Sequence, residues 1–283
     1  AGITFIDTAD VYSNGRSERA VGAFVKKHRD TVKFATKCGR RLDPHTAEGY
    51  NEKNIRGFVE DSLVNTGLPV LDLLQLHCPP TEVYYRPEVF ELLDILKHEG
   101  KIEQYGVSVE KVEEGLKAIE YPNVAAVQII FNMFRQRPAE LFFKEARKKN
   151  VGLIVRVPLA SGLLSGKYDR STTFAKDDHR TFNRHGEAFD QGETFSGVDY
   201  ETGLLAVDEL KACCAPDGNL APAALKWILM FPEVSCVIPG ASRPEQIERN
   251  AAVSNAPALS RESMQAVHEV YDRRLRAQVH QRW

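Results

Sequence analysis

Side chains able to move protons stand where apolar runs stop. Asp7 follows Phe5-Ile6, Lys37 follows Phe34-Ala35-Thr36, and His77 follows Leu73-Leu74-Gln75-Leu76, while Tyr12 lies in the stretch just after Asp7. A phenol titrates near ~10, too high to trade protons readily at neutral pH. A unit positive charge about 4 Å away contributes roughly 4 kcal/mol at an effective dielectric near 20, enough to change that. Lys37 would be that charge, Asp7 would pair with it and aim it, and His77 would orient or polarise a carbonyl oxygen. Such a set suits protonation of a carbonyl oxygen, a step worth about 10²–10⁴ in rate. None of the four donates a hydride, so the chemistry needs a cofactor. Each residue alone reads more blandly: Asp7 as a turn or cap residue, His77 as a core histidine, Tyr12 as a surface phenol. Their recurrence at successive run ends carries the reading.

The elements that must position them alternate along the whole chain. Short β-branched runs predict strands at Ile3–Ile6, Val32–Thr36, Leu71–Leu76, Ile102–Val107, Ala125–Ile129, Gly152–Val155 and Ser235–Ile238. Between them, helical spacing predicts Ser17–Lys27, Glu52–Asn65, Pro87–Glu99, Val112–Ile119, Pro138–Lys149, Glu201–Ala212, Pro222–Met230 and Pro244–Ala252. Asn51, Ser17 and Ser242 read as N-caps, and Gly67 and Gly100 as helix stops. Strands buried on both faces and alternating with helices make a parallel sheet, either doubly wound or closed into a barrel. No G-x-G-x-x-G follows any strand and the beat has no break, which favours a single α/β barrel of roughly 250 residues over the whole of 1–283. In such a barrel, reactive groups sit at the carboxyl ends of the strands. The polar residues Ser108, Gln128 and Arg156 end the fourth, fifth and sixth runs.

The polar stretch 167–203, with Phe174, Phe182, Phe189 and Phe195 scattered through it, reads as a cover over those ends rather than as disorder. A C-terminal helix is expected over about 260–274, opened by Ser260 as a cap, with an Arg-rich tail suited to solvent or to subunit contact in a homo-oligomer. His28, His98, His268 and His280 read as solvated.

Composition narrows the partners. With 37 Lys+Arg against 39 Asp+Glu in 283 residues, the net charge of −2 offers no basic field for nucleic acid. No apolar run approaches the ~20 residues of a membrane span. The five cysteines, Cys38, Cys78, Cys213, Cys214 and Cys236, show no paired spacing, which suggests reduced thiols in a cytoplasmic protein. No spacing of His179, His185, Asp43 or His45 matches a metal-ligand set.

These motifs together resemble the aldo-keto reductase superfamily. They are Phe5-Ile6-Asp7-Thr8-Ala9-Asp10-Val11-Tyr12, Phe34-Ala35-Thr36-Lys37, Asp72-Leu73-Leu74-Gln75-Leu76-His77, Gly100 through Ser108, Val127-Gln128, and Ile238 through Asn250. The resemblance implies a (β/α)8 TIM barrel binding NADPH in extended form, and a small carbonyl or alcohol substrate. Seven strands are read here, so the first strand and helix of that barrel are expected to be lacking from this chain. By motif match Tyr12 would be the proton donor, Lys37 its activator, Asp7 the lysine's partner and His77 the orienting group. Ser108 and Gln128 match positions holding the nicotinamide carboxamide, and Arg156 falls within the cofactor set. The loop containing Pro158, Leu159, Ser161, Gly162, Leu164, Gly166 and Lys167 looks like the pyrophosphate strap, whose backbone N–H groups meet anionic oxygens. Gly240, Ser242 and Arg243 precede a helix whose N-terminus favours phosphate, and Gln246 and Asn250, on one face of it, would reach the adenosine. The Ser242 hydroxyl and the Arg243 guanidinium suit a 2′-phosphate, favouring NADP(H) over NAD(H). Two departures stand out: Cys78 where an aromatic is common, and Val109 where Asn is common. The same superfamily includes potassium-channel β subunits, so a cofactor-sensing barrel without turnover is the alternative. A barrel isomerase or lyase using Lys37 as a Schiff base is another.

Overall fold

The computed structural model describes residues 1–283. Strand and helix alternate as β1 (Phe5–Asp7), α1 (Arg16–Val25), β2 (Lys33–Cys38), α2 (Glu52–Thr66), β3 (Leu71–His77), α3 (Pro87–His98), β4 (Ile102–Ser108), α4 (Val112–Ala118), β5 (Val124–Ile130), α5 (Phe142–Lys148) and β6 (Gly152–Arg156). Beyond these come α6 (His179–Phe182), α7 (Tyr200–Cys214), α8 (Leu220–Leu229), β7 (Val234–Val237), α9 (Pro244–Ala252), α10 (Arg261–Val270) and α11 (Arg276–Val279). All seven strands are parallel and lie side by side in chain order.

The sheet is curled, and two side chains prove it. In a flat sheet β1 and β5 would be separated by four spacings of about 4.8 Å, or ~19 Å. Instead Gln128 Nε2 of β5 lies 2.8 Å from Asp7 Oδ1 of β1. Period-2 alternation then stacks layers inside the curl. The lower layer is apolar: Ala35, Leu73, Ala126 and Ile154, with Phe5 and Cys236 packed against them. Two residues further along the same strands come Asp7, Lys37, Gln75, Ser108, Gln128 and Arg156. On β4 the lower layer is glycine, because a Cβ on Gly106 would sit 2.2 Å from the Ala126 carbonyl oxygen. The outer faces of the strands pack under the helices through residues such as Phe34, Leu74, Val107, Val127 and Val155.

The seven strands read from the sequence form a curled sheet that does not close: β1 pairs only with β2 and β7 only with β6. Other expectations need correction. For want of a neighbour, the first strand starts at Phe5, and Ile3 is 45% exposed rather than buried. Ser17 is not a cap; Ser13, Asn14 and Gly15 all have positive φ, and the helix starts at Arg16 with Gly15 as its N-cap. Ser242 is not a cap either. The N-cap of α9 is Arg243, and the Gln246 side-chain oxygen instead accepts from Ser242 N at 2.7 Å. The C-terminal helix runs beyond 274, through a π-type turn at Tyr271–Leu275 into α11. His280 is not solvated; its Nδ1 is 2.9 Å from the Tyr271 hydroxyl.

Candidate active site

The polar layer inside the curl is a connected hydrogen-bond network. Asp7 Oδ2 accepts from Lys37 Nζ at 2.5 Å, and Asp7 Oδ1 accepts from Gln128 Nε2 at 2.8 Å and Gln75 Nε2 at 3.4 Å. Lys37 also donates to the Thr8 carbonyl at 2.8 Å and is only 1% exposed. A lysine is almost never so buried unless paired, and here the carboxylate and the carbonyl supply the pairing. Register explains the meeting: Lys37 lies beside Gln75 across β2–β3, and Ser108 beside Gln128 across β4–β5.

Tyr12 reaches the same point from the turn after β1. Lys37 Nζ lies 5.2 Å from the centre of its ring, and the His77 ring is 6.1 Å away, edge-on at 84°. Tyr12 is 43% exposed while its three partners are largely buried, so the phenol is the open face of the group. His77 is buried with no partner for its Nδ1. Burial, followed by the charges of Arg40, Lys37, Arg156 and His45, holds its imidazole well below the ordinary range. It is therefore neutral at working pH and available as a hydrogen-bonding group rather than an acid. The arrangement brings together a phenol, an ammonium fixed beside it and a neutral imidazole, at an opening to solvent.

The residues read as a cofactor set are spread along the same rim. Ser108 Oγ is 3.5 Å from Cys78 Sγ, and the Gln128 amide is taken by Asp7. Arg156 turns away into an ion cluster, donating to Glu110 at 2.8 Å and to the Val109 carbonyl at 3.1 Å. Pro158 and Leu164 are buried, Leu159, Ser161, Gly162 and Gly166 half-buried, and Lys167 exposed. Between Val157 and Gly166 five residues have positive φ, three of them not glycine: Val157 (51°), Ala160 (46°) and Ser161 (54°). Such conformations cost about 1–3 kcal/mol each and cluster where a backbone must face a ligand. Gly240, Ser242 and Arg243 are exposed before α9, with Gln246 and Asn250 half-buried along it.

The structure adds groups that sequence reasoning missed. Gln75 shares the inward face with His77 and could have been found from the period-2 alternation of β3. Arg40, Glu110 and Glu193 also gather at this rim, but they lie in loops, where no periodicity marks them. Glu193 belongs to the 167–203 stretch, which is tied down by Ser161 Oγ donating to the Glu193 carbonyl at 3.0 Å. Its phenylalanines pack into it, Phe174 lying 5.9 Å from Phe195 and Phe182 6.2 Å from Phe189.

A curled parallel sheet with this group at its carboxyl rim defines a class. The chain belongs to the aldo/keto reductase family, whose sequence profile matches residues 1–272. Among its relatives, aldo-keto reductase YhdN of Bacillus subtilis (strain 168) is 31% identical over 252 residues, covering 87% of this chain and 73% of YhdN. The oxidoreductase YqkF of the same organism is 29% identical over 270 residues, covering 94% and 82%. Among solved structures, glycerol dehydrogenase AKR11B4 from Gluconobacter oxydans matches with a TM-score of 0.76 at 27% identity, covering 97% of this chain and 82% of that one.

Proposed function

We propose that this chain is an NADP(H)-dependent oxidoreductase that reduces a small aldehyde or ketone, or oxidises the corresponding alcohol, with Tyr12 as the general acid. The observation that carries the reading is the convergence of Lys37 Nζ on Asp7 at 2.5 Å and on the Tyr12 ring at 5.2 Å, with His77 at the phenol's edge. A bound nicotinamide supplies the hydride. What supports such a cofactor is that Ser108 and Gln128 are neighbours in register, Gln128 bonding Asp7, and that the positive-φ turn at 157–166 directly follows β6. Ser242 and Arg243, exposed at the N-terminus of α9, suit a 2′-phosphate.

In the reductive direction the Tyr12 hydroxyl gives its proton to the carbonyl oxygen. Lys37, fixed by Asp7 and Thr8, stabilises the phenolate left behind, and His77 hydrogen-bonds the same oxygen as charge develops on it. The test is Tyr12→Phe, expected to lower kcat for a generic aldehyde by at least about 10²-fold while leaving NADPH binding intact. A retained kcat would remove the proton-donor role. Absence of turnover in the unmodified chain, with NADPH still bound, would favour a cofactor-sensing barrel. Equal kcat/KM with NADPH and NADH would strike out the role given to Arg243.

A further inference from the structure

Beside His77 the rim carries two guanidinium groups. Arg156 is 8% exposed; its Nη2 donates to Glu110 Oε2 at 2.8 Å and lies 3.6 Å from Cys78 Sγ, while its Nε has no partner. Arg40 Nη2 donates to Glu110 Oε1 at 3.2 Å. A second carboxylate, that of Glu193, contacts Arg40 directly and lies 3.8 Å from Arg156 Nη1. Both arginines act on His77, being among the charges that push its imidazole down. The geometry agrees: Cys78, whose Sγ lies 3.6 Å from Arg156 Nη2, is the residue that follows His77.

Charge counting shows what this place wants. The Glu110 and Glu193 carboxylates both sit on this guanidinium pair. A buried third cation, Arg135, donates to the Glu110 carbonyl at 3.2 Å with Asp190 near it. Burial raises the Glu110 carboxyl to about 7 and leaves Glu193 the firmer anion. Burial would raise the Glu193 carboxyl, but Arg156 and Arg40 outweigh it and hold it low, so Glu193 stays anionic. Glu193 is not part of the barrel frame; it arrives on the Gln191–Glu193 turn of the 167–203 stretch. Lifting that turn would take the Glu193 carboxylate, and Asp190 at its start, away from buried guanidinium groups, which is costly unless another anion takes the position. A planar bidentate fork is the group best matched to a carboxylate. A metal ion is the wrong occupant: the donor atoms of Cys78, Glu110 and Glu193 lie within 4.8 Å of one another, but the two guanidinium groups already sit on those carboxylates.

We propose that Arg40 and Arg156 form a carboxylate subsite beside His77, held by Glu193 in the closed chain and taken over by the carboxylate of an anionic carbonyl substrate. This rests on the carbonyl-reductase reading above and names its substrate class, the aldehyde or keto acids. Cys78, the residue after His77, touches Arg156, so the linker between the two functional groups would run past a short side chain.

The test uses the full chain and matched probes that differ only in charge: 4-oxobutanoate and 4-carboxybenzaldehyde, each against its methyl ester. At least one acid is expected to show a kcat/KM tenfold or more above its ester, with the difference mainly in KM. That ratio should collapse towards one in Arg40→Met and persist in part in Arg40→Lys. Calorimetric titration gives a readout independent of turnover: benzoate should bind at least tenfold more tightly than benzamide, and tighter still in Glu193→Gln, where the competing charge is gone. Acid-to-ester ratios at or below one in the unmodified protein, or benzoate bound no better than benzamide, would overturn the subsite. If no aldehyde is reduced yet benzoate binds through Arg40, the reductase reading falls and the subsite stands.

Discussion

Tyr12, Lys37, His77 and Asp7 were legible because each interrupts or follows an apolar run with a residue type that is expensive to bury. Asp10 was not, although it sits in the same motif. It is 3% exposed, and neither carboxylate oxygen has a partner. Burial, reinforced by nearby Glu18, raises it from 3.8 to about 7. A carboxyl whose folded pKa is raised favours the fold when protonated, and that contribution is lost as pH climbs from the unfolded value to the folded one. Stability from this group is therefore full below about pH 4 and gone above about pH 7. Asp10→Asn cannot ionise, so it should gain on the unmodified chain across that window, by up to about 4 kcal/mol. Urea midpoints at pH 5 and pH 8 check this: the gap must widen with pH, and a constant or reversed gap would show that Asp10 is not a buried neutral acid. The ion cluster of Arg40, Glu110 and Glu193 lay beyond sequence reasoning for a different reason, since charged loop residues usually face water and only the curl brings these together.

At the scale of the element, the strands were readable to within a residue or two, because runs such as Leu71–His77 are buried throughout. Helix starts were readable from more than caps: Pro87 and Pro244 open α3 and α9 as expected with no side-chain cap bond, while the cap assignments themselves held only in part. Asn51 accepts from Asn54 N at 3.1 Å as its sequence position suggests, whereas Ser17 and Ser242 lost that role to backbone and side-chain contacts nearby. Gly106 is the position where an element depends on a single missing atom. A methyl there would meet the Ala126 carbonyl oxygen at 2.2 Å, a backbone group with no rotamer to yield. Gly106→Ala should cost about 1–3 kcal/mol through overpacking. It should also shift Ser108 away from Gln128, weakening cofactor affinity as well as lowering Tm. A Tm within a degree of the unmodified chain would show that β4 and β5 are free to separate.

Across the whole molecule, the alternating pattern announced a parallel α/β sheet, and the motif set announced the family. The count of seven runs already argued against a closed eight-strand ring, and the sheet indeed ends at β1 and β7 without a shared neighbour; what no side-chain signal along a strand states is how far the sheet curls. Nor could sequence show how the 167–203 stretch is fastened, which falls in part to Trp283. Its ring lies 4.4 Å from the Arg135 guanidinium, its Nε1 donates to Asp190 at 2.8 Å, and Gly192 and Gly197 leave room for it. The other of the chain's two tryptophans, Trp227, is stacked on Phe131 at 4.9 Å deep under the sheet. The molecule thus carries an internal optical gauge. Emission from Trp227 should stay constant when ligand enters, while Trp283, if the 190s turn swings out, should shift to the red as its indole meets water. Difference spectra of the native chain and Trp283→Phe under iodide quenching separate the two, and a spectrum unmoved by ligand would mean the turn stays shut throughout.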